Sequence, residues 1–306
     1  MKAALRKGKN VVTANKALLA SQYDDLRALA AEHHVKIRAS AAVGGSIGWL
    51  ANLERAVRVQ QISQIHGIFN GTCNYILDQM TCRGLPYTEV LAKAQELGYA
   101  EADPSADVDG LDTAAKLVIS ANIAFGISLN HESVPVAGIR NITAGDIAVF
   151  KEHGYVCKLF GNAGYIDGRI EAYVQPTLVR SSASEAAVTA NYNLAVFEGA
   201  ATGIQSFSGQ GAGRYPTAYN VLQDLCDLQD GKDFHTSIFP HTQTFAENHT
   251  AMRYYIRGTQ NELAQFPAAQ AAQQWGDGIL TAALPISHVH AWISAHPTAF
   301  AAAIRE

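Results

Sequence analysis

Between residues 101 and 116 the chain gathers five carboxylates and one lysine: Glu101, Asp103, Asp107, Asp109, Asp112 and Lys116. Carboxylates at that density could hold a substrate ammonium group, and a lysine among them could move a proton or stabilise a developing oxyanion. The first four acids sit in a stretch with Pro104 and small residues that does not favour helix. From Leu111 the pattern changes. Leu111, Ala114, Ala115, Leu117, Val118 and Ile119 recur at helical spacing, and Asp107 or Asp109 can cap the start. Asp112 and Lys116, four apart, then share one face of the first two turns. Residue types alone leave a plainer reading open, a solvated acidic loop with a surface ion pair that contributes little.

Other candidates stand at the ends of elements. Lys16 follows Asn15 just past a short β-rich run, Asn10 to Thr13, at the end of the strand where ligands bind in open α/β sheets. By position alone it is equally a solvated lysine at a helix start. Asn70 and Thr72 close an alternating run, Val59 to Phe69, and suit a turn and an N-cap for the helix through Tyr75, Ile76, Leu77 and Met80. Gly209, Gly211 and Gly213 allow the backbone to approach a ligand closely, and Pro216 starts a helix well. The same glycines also suit a flexible connector. His66 reads as a structural histidine. His235, His241, His288 and His290 show no metal-ligand spacing.

The acidic run 96–117, E-L-G-Y-A-E-A-D-P-S-A-D-V-D-G-L-D-T-A-A-K-L, resembles the signature of homoserine dehydrogenases. These enzymes interconvert homoserine and aspartate 4-semialdehyde with NAD or NADP, a step of threonine and methionine biosynthesis. The likeness is long, ungapped and specific. K-G-K-N-V-V-T-A-N-K, G-I-F-N-G-T-C-N-Y-I-L and G-Q-G-A-G-R-Y-P-T-A also resemble family motifs, in the family's order, so the resemblance spans roughly residues 8–230.

That resemblance implies roles. Glu101 and Asp112 hold the substrate's amino end, with Gly98 beside it. Lys116 exchanges the hydroxyl proton or stabilises the oxyanion as the aldehyde forms, and Lys16 assists. Asn15, Lys16, Asn70, Thr72, Gly211 and Gly213 lie along the cofactor. In the family a glutamate and backbone carbonyls surround a monovalent cation, sodium or potassium. The carbonyls carry over to Val43, Gly45 and Ile47. Ser40 stands where the glutamate would be and Gly48 where a proline would be, which removes the charged oxygen that a hard cation prefers.

The elements that position these residues read as an α/β plus α+β protein. Residues 1–40, rejoined by 209–230, read as a partial Rossmann nucleotide-binding domain. Residues 41–208 read as a homoserine dehydrogenase-type catalytic and dimerisation domain. Residues 245–306 read as a shortened, degenerate ACT-like module. The expected elements include a helix over 144–152, strands within 155–208, strands at 252–256 and 278–286, and a closing helix over 297–304. The family's first strand and its G-x-G-x-x-G turn have no counterpart in residues 1–40. The chain therefore reads as an N-terminally truncated member, with a folded but non-catalytic fragment as the alternative to an active enzyme. The residue that separates NAD from NADP normally follows the second strand, so the choice between them stays open.

Composition narrows the rest. Hydrophobic residues make up 48% and charged residues 16% of 306, enough for a sizeable core. The net charge is −4 with no long basic block, which argues against nucleic acid as a partner. No apolar run is long enough to span a membrane, and the basic N-terminus lacks the apolar core of a secretory signal. Cys73, Cys82, Cys157 and Cys226 are scattered, as in reduced cytoplasmic proteins. The expected partners are a small-molecule substrate and a second copy of the chain, as a homodimer or within a tetramer.

Overall fold

The computed structural model describes residues 1–232, 248, 250–266 and 273–305. His235 and His241, and the expected start of the last module at 245, lie outside these residues. Helix α1 (Lys2–Arg6) leads to strand β1 (Val11–Val12), helix α2 (Lys16–Glu32) and strand β2 (Ile37–Arg38). β1 and β2 pair in parallel as a two-stranded sheet. The Asn15 side chain accepts the Leu18 N–H at 3.1 Å. This satisfies one of the orphan donors in the first turn of α2.

A glycine turn leads to α3 (Trp49–Val57) and β3 (Ile62–Ile68). Helices α4 (Gly71–Arg83), α5 (Tyr87–Glu96), α6 (Ser105–Val108), α7 (Leu111–Phe125) and α8 (Ala144–Glu152) follow. Then come β4 (Tyr155–Ile166), β5 (Arg169–Arg180), β6 (Tyr192–Gly199), β7 (Gly203–Gln210) and α9 (Arg214–Gln229). The last part holds β8 (Ala251–Met252), β9 (Tyr254–Arg257), α10 (Gln260–Ala264), β10 (Gln273–Trp275), β11 (Gly278–Leu280), β12 (Leu284–Pro285), α11 (Ile286–Ala295) and β13 (Phe300–Ile304).

Nine strands form one sheet in the order β10-β11-β9-β13-β5-β4-β3-β6-β7. Helix α7 packs on β3, β4 and β5 and against α2 and α3. Leu117, Val118, Ile119 and Ala121 are wholly buried there, as expected for a helix apolar nearly all round. Its polar residues are tied down. The Trp49 indole N–H donates to Ser120 Oγ at 2.8 Å, and Ser120 Oγ–H donates to the Lys116 carbonyl at 2.8 Å.

Several expectations change. The acidic stretch is not wholly a loop, because Ser105–Val108 forms a single helical turn behind Pro104. Neither Asp107 nor Asp109 caps α7; Gly110, at φ +88°, takes the N-cap position without a side-chain bond. Both aspartates are held elsewhere, Asp109 by Arg140 at 2.7 Å and Asp107 by Asn70 at 2.6 Å. The segment after Val134 is mostly irregular, with one parallel bridge between Val136 and Val174. The expected closing helix over 297–304 is strand β13. Its alanines favour helix locally, but the segment fills the gap between β9 and β5 and takes ladder bonds from both. The expected strand over 278–286 breaks into β11 and β12, and Ile286 begins α11 instead.

The C-terminal elements run β8-β9-α10-β10-β11-β12-α11-β13; β8 and β12 pair apart as a two-stranded sheet, and the other four strands lie within the large sheet in the order β13-β9-β11-β10. They extend the catalytic sheet rather than forming a separate one, through the parallel pairing of β13 with β5. No helix among the described residues is long and apolar enough to cross a membrane.

Candidate active site

The site forms where three helix starts meet. The β3–α4 turn brings Asn70, the first turns of α7 bring Asp112 and Lys116, and the start of α2 brings Lys16. Lys116 Nζ lies 2.7 Å from Asp112 Oδ2 and donates to the Phe69 carbonyl at 2.7 Å. Lys16 Nζ lies 3.0 Å from Asp112 Oδ1. Asn70 Nδ2 donates to Asp112 Oδ2 at 2.9 Å and to Asp107 Oδ1 at 2.6 Å. One carboxylate is thus shared by two ammonium groups and an amide.

The plainer reading of Asp112 and Lys116 as a surface pair does not hold. Asp112 is 8% and Lys116 7% exposed, whereas the Lys16 side chain is 44% exposed and reaches the centre from the solvent side. Burial opposes the charge on Asp112, but Lys116, Lys16 and Asn70 outweigh it and hold the carboxyl down at about 2. Burial also opposes the charge on Lys16, yet Asp112, with Asp107 and Glu101 behind it, outweighs burial and raises its pKa. Burial pushes the Asp107 carboxyl up despite its bond from Asn70, and the charge of Asp112 adds to the rise.

Asn70 works mainly inward. It caps α4 through its Oδ1, which accepts the Cys73 N–H at 2.7 Å, and its Nδ2 bridges two aspartates. Thr72 is not the cap; its hydroxyl donates to the Tyr99 carbonyl at 2.6 Å. Cys73 is fully buried, with its thiol on the Asp107 carbonyl, and burial pushes that thiol well up, so it is no nucleophile. Asp112 already receives three protein donors. Glu101 is exposed on the loop, within electrostatic range of Lys16, and makes no ion pair within 4 Å among the described residues. Gly98 is exposed at φ +74° just past the end of α5, where a turn out of the helix needs glycine.

The return crossing supplies a residue that spacing did not reveal. Asn193 on β6 is 2% exposed, and its amide has no hydrogen-bond partner among the described residues. A Cβ on Gly211 would lie 2.1 Å from Asn193 Cγ, and one on Gly45 would lie 2.6 Å from the Gln210 carbonyl oxygen. The close approach expected of Gly211 is therefore to Asn193 and to the Gly45 turn. Gly213, at φ +116°, is the N-cap of α9. A buried asparagine in a strand had only its burial to give it away, and burial is not written in the local sequence.

For a dinucleotide, the fitting group is the half-exposed Lys16 at the positively polarised start of α2; the Lys16, Leu18 and Leu19 N–H groups are already bonded to Ala14 and Asn15. For a monovalent cation the fit fails, because the Gly45 carbonyl accepts an N–H from Asn220 and Ser40 is bound to Asp224. A cavity of about 320 Å³ between α2, β2, α3 and α7 touches none of the site groups. His66 is buried near Glu185, with Nε2 3.5 Å from its carboxylate, and plays no part here.

The homoserine dehydrogenase family model matches residues 49–226, and the model of the NAD binding domain of homoserine dehydrogenase matches residues 1–40. A homoserine dehydrogenase of Lactococcus lactis is 36% identical over 303 residues, covering 93% of this chain and 71% of that one. One from Bacillus subtilis is 44% identical over 222 residues, 72% of this chain and 51% of the other. The chain thus spans about half to seven-tenths of the length of these relatives. Among solved structures, a homoserine dehydrogenase from Thiobacillus denitrificans superposes with a TM-score of 0.84 at 31% identity, covering 100% of this chain and 78% of that one. A hyperthermophilic archaeal homoserine dehydrogenase in complex with NADPH gives 0.66 at 27% identity, covering 76% and 68%.

Proposed function

The chain belongs to the homoserine dehydrogenase family, and we infer that it catalyses the NAD(P)-dependent interconversion of L-homoserine and L-aspartate 4-semialdehyde. The observation that carries this reading is the Lys16–Asp112–Lys116 centre, in which a buried aspartate and lysine of the family's acidic signature meet the lysine of its Asn-Lys motif. When bound, NAD or NADP supplies the hydride chemistry. NADPH in the archaeal relative supports a nicotinamide cofactor for this chain as well.

The chain's own residues position and polarise. Two of the three Lys116 ammonium protons go to Asp112 and Phe69. The third is left for the reacting oxygen of the substrate. In reduction that proton passes to the substrate oxygen as the hydroxyl forms; in oxidation Lys116, having first lost it to solvent, takes the hydroxyl proton as the aldehyde forms. Asp112 favours the charged form of Lys16 and aims both lysines. Glu101, uncommitted on the loop, takes the substrate ammonium, and Lys16 closes the centre towards the cofactor side. Lys116→Ala should lower kcat by a factor on the order of 10² or more. Turnover equal to wild type would remove Lys116 from the chemistry.

Homodimerisation is supported by β7. It is an edge strand with Ile204 67% exposed, and such an open ladder is a template on which a second chain can pair. Sedimentation or light scattering at twice the chain mass is the expected result. An ACT-like assignment of the last module is supported by the βαββαβ order of β9, α10, β10, β11, α11 and β13, with β8 and β12 set apart as a second pair. Four free thiols, two of them buried, fit a reducing compartment such as the cytoplasm.

A further inference from the structure

We propose that Asn220 and Asp224 on α9 hold the 40–48 turn by direct hydrogen bonds in the place where the family resemblance puts an alkali cation, so that this chain needs no such ion. The inference rests on the family reading above.

Two stretches of chain cross between the nucleotide-binding part and the catalytic part, 39–48 on the way out and 209–214 on the way back. They touch. Ser46 N–H donates to the Gln210 carbonyl at 3.3 Å, and a Cβ on Gly45 would strike the backbone of Gln210 and Gly211. Helix α9, which begins at the return crossing, then reaches the outgoing turn with two side chains. Asn220, 3% exposed, donates its Nδ2–H to the Gly45 carbonyl. Asp224, also buried, accepts the Ser40 N–H at 2.8 Å and the Ser40 hydroxyl at 2.6 Å.

A cation at the carbonyls of Val43, Gly45 and Ile47 needs their lone pairs and at least one charged oxygen. One of the two Gly45 carbonyl lone pairs is turned to Asn220, whose amide N–H puts partial positive charge beside the place where the ion would sit. The residue that would bring the carboxylate is Ser40, and its hydroxyl is committed to Asp224. The Asp224 charge is itself answered by the Arg38 guanidinium, 3.6 Å away. The loop thus has an internal donor, Asn220, and an internal acceptor, Asp224, in place of the ion. Asn220 is a positioning residue: it fixes the angle at which the part carrying Lys16 meets the part carrying Asp112.

The test uses the full chain in potassium, sodium and choline chloride at equal ionic strength, with both Tm and homoserine-dependent NAD(P) reduction as readouts. A specific ion that binds the native state raises Tm with its concentration. The expected result is Tm equal across the three salts to within about 1 °C, and turnover equal to within about twofold. Asn220→Ala should lower Tm by roughly 2–6 °C in all three salts alike, because the Gly45 carbonyl loses its partner. A saturable rise in wild-type Tm with potassium or sodium would overturn the proposal. So would an unchanged Tm in Asn220→Ala. Absence of turnover in every salt would instead contradict the proposed activity, while the Tm comparison would still decide the question of the ion.

Discussion

Asp112 is held by three donors from three different elements, and only one of them was readable in the sequence. The i,i+4 spacing to Lys116 follows from a single helix and so shows in the local pattern. Lys16 and Asn70 reach Asp112 through tertiary packing, which spacing cannot express; family likeness named them, and geometry gives them partners. Burial was equally hidden, and it turns a pair worth little on a surface into a strongly coupled centre. A carboxyl held at about 2 rather than the usual 3.8 stabilises the fold by about 2 kcal/mol. Because the folded-state value is the lower one, this stabilisation is complete above about pH 4 and is lost as pH falls towards 2. Asp112 therefore stays charged through the neutral range. Lys16→Met should move its carboxyl up towards the ordinary value. A carboxyl-resolved NMR titration reads this directly, and an unmoved Asp112 would mean that Lys16 contributes nothing to the centre.

Among the elements, α7 and α8 were legible because their apolar spacing and boundaries agree with their packing. β13 was not, since an alanine-rich segment prefers helix until a sheet offers it two partners. The aspartates before α7 look like caps, but Arg140 and Asn70 bind them more strongly than the helix end does. At the return crossing, Gly211 is required by Asn193 on β6. Gly211→Ala should lower Tm by several degrees, since a Cβ 2.1 Å from Asn193 Cγ forces overpacking of about 1–3 kcal/mol. Asn193→Gly in the same chain should recover much of that loss, because the Asn193 amide makes no hydrogen bond that its removal would break. If the double variant is no more stable than Gly211→Ala alone, the clash is not the reason for the glycine.

For the whole molecule, one sheet carries both the catalytic strands and the C-terminal module, so the two should unfold together. β13 sits inside the sheet with partners on both sides. Ala302→Pro, which removes a ladder donor and fits poorly in a central strand, should lower a single shared thermal transition. Two separate transitions in the wild type would show that the module is independent. The three-part division read from composition and resemblance missed this continuity, because pairing between β5 and β13 joins segments far apart in the chain. The central claim is that the lysine and aspartate of the acidic signature carry homoserine chemistry. The most direct test is homoserine-dependent reduction of NAD⁺ and NADP⁺ by the purified 306-residue chain, beside Lys116→Ala at matched folding. Turnover in the wild type and a loss on the order of 10²-fold or more in the variant are the expected results. Equal turnover in the two proteins, or none in a folded wild type supplied with cofactor, would contradict that claim.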